Sequence, residues 1–101
     1  MPFDGVNFSD TRLALIQGRS RVERGWCQNT SFIVTQTEYG PIEQVCMMYA
    51  LPRVSGGHHL GAARILMEVV NGCPMTWQDM PGRTKEDVLA VYDEAIVMAE
   101  G

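Results

Sequence analysis

The chain carries no surplus of positive charge: Lys and Arg number 8 against 12 Asp and Glu, for a net charge of −4 at pH 7. A dedicated nucleic-acid binder needs excess Lys and Arg to replace phosphate counterions, so this balance argues against that class. No stretch reaches the roughly 20 unbroken apolar residues of a membrane span, and Met1 to Asp10 lack the basic and apolar regions of a signal peptide. The expectation is a cytoplasmic chain with no membrane partner. The three cysteines, Cys27, Cys46 and Cys73, are odd in number and widely spaced, with no C-x-x-C pair. That leaves no disulfide framework and no zinc site, and the three are expected as small buried residues. The two histidines, His58 and His59, are neighbours with no carboxylate or cysteine at ligand spacing, so neither a metal nor a cofactor is expected.

What is present is enough apolar material for one core. Of 101 residues, 46% are hydrophobic and 20% charged, the profile of one small domain over 1–101 with a flexible N-terminus at 1–8. Residues 1–53 are balanced in charge, and the acidic excess lies in the second half, either as a solvated helix face or as a docking surface for a basic partner.

Pattern and capping signals predict a mainly α-helical bundle of four helices near 10–24, 41–51, 58–71 and 84–99. The first follows Ser9 or Asp10 as N-cap and stops at Gly25. Gly40-Pro41 reads as the start of the second, because proline suits the first helical position. Ile42, Val45, Cys46, Tyr49 and Ala50 then follow at spacings of three and four, and Pro52 closes it. Between these two, Phe32 to Thr35 reads as a short extended piece in a long loop. Ser55-Gly56-Gly57 reads as a hinge-like connection. The third helix ends at Asn71-Gly72. Met80-Pro81-Gly82-Arg83 predicts a type II turn, and Thr84 with Asp87 predicts a capping box for the last helix. The expected core comprises Leu15, Val22, Trp26, Cys46, Ala50, Leu66, Val69, Trp77, Val88, Tyr92 and Ile96.

Three segments stand out: Arg24-Gly25-Trp26-Cys27-Gln28, Cys46-Met47-Met48-Tyr49-Ala50-Leu51, and Trp77-Gln78-Asp79-Met80-Pro81-Gly82-Arg83-Thr84. Over residues 12–97 they resemble an uncharacterised family of small bacterial and phage proteins with the patterns R-G-W-C-Q, C-x-x-G-A-L and W-N-D-x-P-G-R-T. Tyr49 stands where that pattern has glycine, and Gln78 where it has asparagine. The resemblance implies no established activity.

Trp26, Cys27, Gln28, Trp77, Asp79 and Arg83 are the candidate binding residues. They lie at element boundaries, where indoles most often pin loops to a core, which is the favoured reading; the alternative is a ligand pocket walled by Trp26, Trp77, Asp79 and Arg83. A cysteine-dependent enzyme would draw on Cys27 or Cys46 as nucleophile, His58 or His59 as base and Gln28 as oxyanion donor, but no local signature joins them and no catalytic residue is assigned. Seven methionines suit an adaptable surface. The favoured expectation is a non-enzymatic protein-interaction module that docks a protein partner, or a second copy of itself, through an exposed helical face. Arg12, Arg19 and Arg21 would supply the basic patch for self-association. The alternative is a small-molecule binder or cysteine-dependent enzyme built on Trp26, Cys27 and Trp77.

Overall fold

The computed structural model describes residues 8–54 and 57–100. A 17-residue helix, α1, runs Phe8–Arg24 and buries Ala14, Leu15 and Val22 along one side. It ends where Gly25 N–H reaches back to the carbonyls of Arg21 and Val22, as the terminator position predicts. Two strands follow, β1 (Phe32–Thr37) and β2 (Gly40–Val45), paired antiparallel as a hairpin with Phe32 opposite Val45 and Thr37 opposite Gly40. A second, shorter hairpin pairs β3 (Arg53–Val54) with β4 (Gly57–His58). The helices α2 (Leu60–Val70), α3 (Pro74–Gln78) and α4 (Lys85–Glu100) complete the chain.

The architecture is therefore α+β, which corrects the expectation of a mainly α bundle. The helix expected over 41–51 is absent. Residues 40–45 form β2, and 46–51 form a turn in which Ala50 N–H bonds to Cys46 O and Leu51 N–H to Met48 O. Proline misled here. Pro41 lies opposite Gln36 in the hairpin, at a position where the ladder requires no N–H, and the two-residue connection Glu38-Tyr39 leads into Gly40 at φ 109°. The three-and-four spacing of Cys46, Tyr49 and Ala50 reflects a real helical-type turn, whereas Ile42 belongs to an exposed strand. The extended piece expected at 32–35 exists and is longer, while α3 was not anticipated. The flexible N-terminus expected at 1–8 falls mostly outside the described residues. Of the hinge-like connection only Gly57 is described, and it lies in β4.

One core cluster joins α1, the 45–51 segment, α2 and α4, with Leu15, Val22, Val45, Met47, Leu51, Leu66, Val88, Tyr92 and Ala95 all closed to solvent. Within it the Tyr92 hydroxyl donates to Met47 O at 2.5 Å. Burial pushes that phenol's pKa far up, so it stays a donor. Four residues expected in the core, Trp26, Val69, Trp77 and Ile96, are only partly buried and pack against its margin. Cys27 and Cys46 are buried as expected; Cys73 is exposed, because it precedes α3 on the surface.

The last helix begins as the sequence predicts. Asp87 N–H donates to Thr84 Oγ1 at 3.1 Å while Thr84 N–H donates to Asp87 Oδ2 at 3.0 Å, a reciprocal capping box. The preceding turn closes with Arg83 N–H on Met80 O at 3.2 Å and Gly82 at φ 89°.

Candidate functional site

Four of the six candidate residues from the sequence, Trp26, Cys27, Gln28 and Asp79, are joined by hydrogen bonds to Gln78, while Arg83 is bonded to the neighbouring Trp77. The position of Gln78 follows from two short elements. Pro74 opens the five-residue helix α3 at its first position, and Gln78 ends it with its side chain wholly buried. The end of α1 delivers Trp26, Cys27 and Gln28 to the same spot. Gly25 permits this approach, since a Cβ there would meet Glu43 O at 2.4 Å, and the main chain bonds from Cys27 N–H to Val45 O and from Val45 N–H to Gly25 O.

The Gln78 amide uses its full hydrogen-bonding capacity. Its Oε1 accepts from Trp26 Nε1 at 2.8 Å and from Met47 N–H at 3.0 Å. Its Nε2 donates to Cys27 O at 3.4 Å and to Asp79 Oδ1. Two acceptor sites and two donor hydrogens are thereby all engaged. Around this amide, Gln28 Nε2 donates to Gln78 O at 2.7 Å and Met80 O at 3.1 Å, and Asn29 N–H donates to Asp79 Oδ1 at 2.9 Å. Arg83 Nε donates to Trp77 O at 3.0 Å while its guanidinium lies 3.9 Å from the Trp77 ring centroid, a cation–π contact. Gln78 was not among the candidates, and its burial has no signal in the sequence, because glutamine is ordinarily exposed.

Nucleophilic chemistry finds little support in the arrangement. Burial, then the neighbouring Cys46 and Asp79, raise the pKa of the Cys27 thiol, and its Sγ contacts Thr30 O and Gln44 O rather than any base. His59 is occupied at the start of α2, where Nδ1 accepts from Ala62 N–H at 3.2 Å. Neighbouring His58 has its pKa lowered by burial and then by Arg53. Among the described residues no group of three or more His, Cys, Asp or Glu could hold a metal ion.

The arginines of α1 do not form the free basic patch expected of them. Arg12 pairs with Glu100, and Arg19 with Asp93 and Glu23. Arg21 reaches Glu43 at 3.0 Å and the carbonyls of Tyr49 and Ala50, locking α1 to β2 and the following turn. Arg12 and Arg19 find their acidic partners on α4, which packs alongside α1, and Arg21 finds its own on β2. Beside Arg21, a cleft of about 340 Å³ is lined by Arg24, Pro41, Ile42 and Glu43.

Apolar exposure is concentrated elsewhere. Among the described residues, Phe32, Ile33, Val34, Tyr39 and Ile42 account for five of the twelve exposed large apolar side chains, and all five lie within the β1–β2 hairpin. Tyr39 at its tip is 93% exposed. Phe32 stacks on Tyr49 at 5.0 Å, and Arg53 lies 4.7 Å from the Tyr49 ring centroid. No helix among the described residues is long and apolar enough to cross a membrane.

Comparison with curated proteins and with solved structures returns no match. The sequence model of a family of unknown function (DUF6197) matches residues 11–97, nearly the whole chain, and the protein belongs to that family.

Proposed function

We propose that the chain is a non-enzymatic protein-interaction module, a single domain over 1–101 working in the cytoplasm, whose docking element is the β1–β2 hairpin. The observation that carries this reading is the hairpin's exposed apolar set, Phe32, Ile33, Val34, Tyr39 and Ile42, on strands whose one contribution to the core cluster among the described residues is Val45. Apolar surface gathered on one projecting element marks an interaction site, whereas scattered single residues do not. Exposed Leu13 and Ile16 on α1 and Val97 and Met98 on α4 are secondary contacts, so the reading shifts from a helical face to the hairpin. The Trp26–Gln78–Asp79 node supports the hairpin rather than a ligand, since its polar groups are turned toward one another. The resemblance to small bacterial and phage proteins extends the reading to an accessory role on a host protein.

The test is site-specific photo-crosslinking in cells with the probe placed at Tyr39, at Ile42 and, for reference, at exposed Glu68. Discrete protein adducts from the two hairpin sites and none from the reference site are expected. Equal yields from all three would overturn the reading, as would a turnover activity that Cys27→Ser abolishes at unchanged stability.

A further inference from the structure

The backbone of the hairpin specifies which of its two edges is open and what fits it. Val45 turns its N–H and C=O away from β1, toward Gly25 and Cys27, while Cys46 N–H bonds back to Ser31 O. Phe32 and Val45 are therefore a non-hydrogen-bonded pair, and strict alternation makes Val34–Glu43 and Gln36–Pro41 non-hydrogen-bonded pairs as well. That alternation explains how Pro41 sits in a strand without breaking a ladder bond. It also means that Phe32, Val34 and Gln36 direct their N–H and C=O groups to the outer edge of β1, where no backbone partner meets them among the described residues.

The two edges are protected unequally. The outer edge of β2 is covered at Val45 by residues 25–27, lacks a donor at Pro41 and carries Glu43, which is tied to Arg21. The edge strand β1, Phe-Ile-Val-Thr-Gln-Thr, has no charge, no proline and no bulge, the devices that keep strand edges from pairing.

We infer that β1 pairs antiparallel with β1 of a second copy of this chain, about a two-fold axis through Val34. This rests on the interaction-module reading and names the partner. In that register Val34 faces Val34 of the second copy, Phe32 faces Gln36, Ile33 faces Thr35, and Glu38 faces Thr30, so no like charges are opposed. Every outward backbone group of Phe32, Val34 and Gln36 gains a partner, and the two hairpins join as one four-stranded sheet in the order β2-β1-β1-β2. A second copy supplies an unpaired strand of matching length and neutral charge by construction. The seam is about 20 Å long and about 10 Å deep, a footprint well below the ~800 Å² per partner of a stable complex. The dimer is accordingly reversible and concentration-dependent.

Analytical ultracentrifugation of the full chain over a wide concentration range tests this. Val34→Pro removes the outward N–H and leaves the bonds to β2 in place, and Val34→Lys sets two cations across the axis while facing Glu43 within its own hairpin. Both should raise the dissociation constant at least about tenfold with unchanged far-ultraviolet circular dichroism. In a Cys73→Ser background, Val34→Cys should form a symmetric disulfide under oxidised glutathione, because hydrogen-bonded antiparallel pairs lie about 5.5 Å apart at Cα. Ile42→Cys should not. A chain that stays monomeric at every concentration, or Val34→Cys and Ile42→Cys that cross-link alike, overturns self-pairing. If hairpin photo-crosslinks to a different protein persist in that case, the interaction reading survives its loss; if they vanish too, both fall.

Discussion

Replacing Gln78 with leucine keeps the side chain's approximate volume and removes all four of its amide hydrogen bonds, which isolates their contribution from cavity effects. The partners left behind decide the cost. Met47 N–H is sealed from solvent, Cys27 O sits in a buried residue, and Trp26 Nε1 is at a half-buried margin where water can partly compensate. A stranded buried polar group costs about 1–3 kcal/mol, so Met47 in full and the other two at the low end give about 3–5 kcal/mol. That is a large share of the roughly 5–15 kcal/mol that holds a domain of this size together. At about 4–8 °C per kcal/mol the thermal midpoint should fall by at least about 12 °C. Urea unfolding followed by the fluorescence of Trp26 and Trp77 measures the loss directly, with an unchanged denaturant slope showing that both states keep their exposure. Gln78→Asn keeps both ends of the amide on a shorter stem and should fall between wild type and Gln78→Leu. A loss below about 1 kcal/mol for Gln78→Leu would refute the reasoning, because it would mean that the amide's partners find water as easily as they find Gln78.

Thr84→Ala removes the hydroxyl that caps α4 and should cost about 0.5–2 kcal/mol by urea denaturation, with an unchanged midpoint showing that Thr84 does not cap. Thiol labelling of the native protein should modify Cys73 first, since it is exposed and its pKa is lowered by hydrogen bonds, chiefly from the Thr76 backbone. Cys27 and Cys46 should react only on unfolding, and prompt labelling of either would contradict its burial. Burial and Arg53 hold the His58 pKa below its ordinary value, so between that lowered value and about pH 6.5 the unfolded chain binds a proton that the folded chain does not. Stability from this group is thus complete above that window and declines as pH falls through it; urea midpoints should show the decline in wild type and a shallower one in His58→Gln.

What could be read from the sequence divides along a physical line. The helices α1, α2 and α4 announce themselves because each buries one stripe on the core and carries a recognisable stop or cap, as Gly25, Asn71 and Thr84 show. The hairpin hides because strand recognition depends on one face being buried, and here apolar residues fall on both faces of strands that mostly face solvent. Without that alternation, Pro41 was the strongest local mark, and proline at a strand's non-hydrogen-bonded position looks the same in sequence as proline opening a helix. Short α3 offers too few residues to establish a period. The candidate residues came together because Trp, Asp and Arg at element ends need partners, and the chain ends of α1 and α3 supply them. Gln78 escaped because a buried amide is defined by what surrounds it, and its four partners come from sequence positions up to 52 residues away. The same reasoning separates the two regions of interest. A node whose donors and acceptors are saturated has little left to offer a ligand, whereas a strand edge whose backbone groups meet no partner among the described residues, with Phe32, Ile33 and Val34 exposed, still has bonds to make.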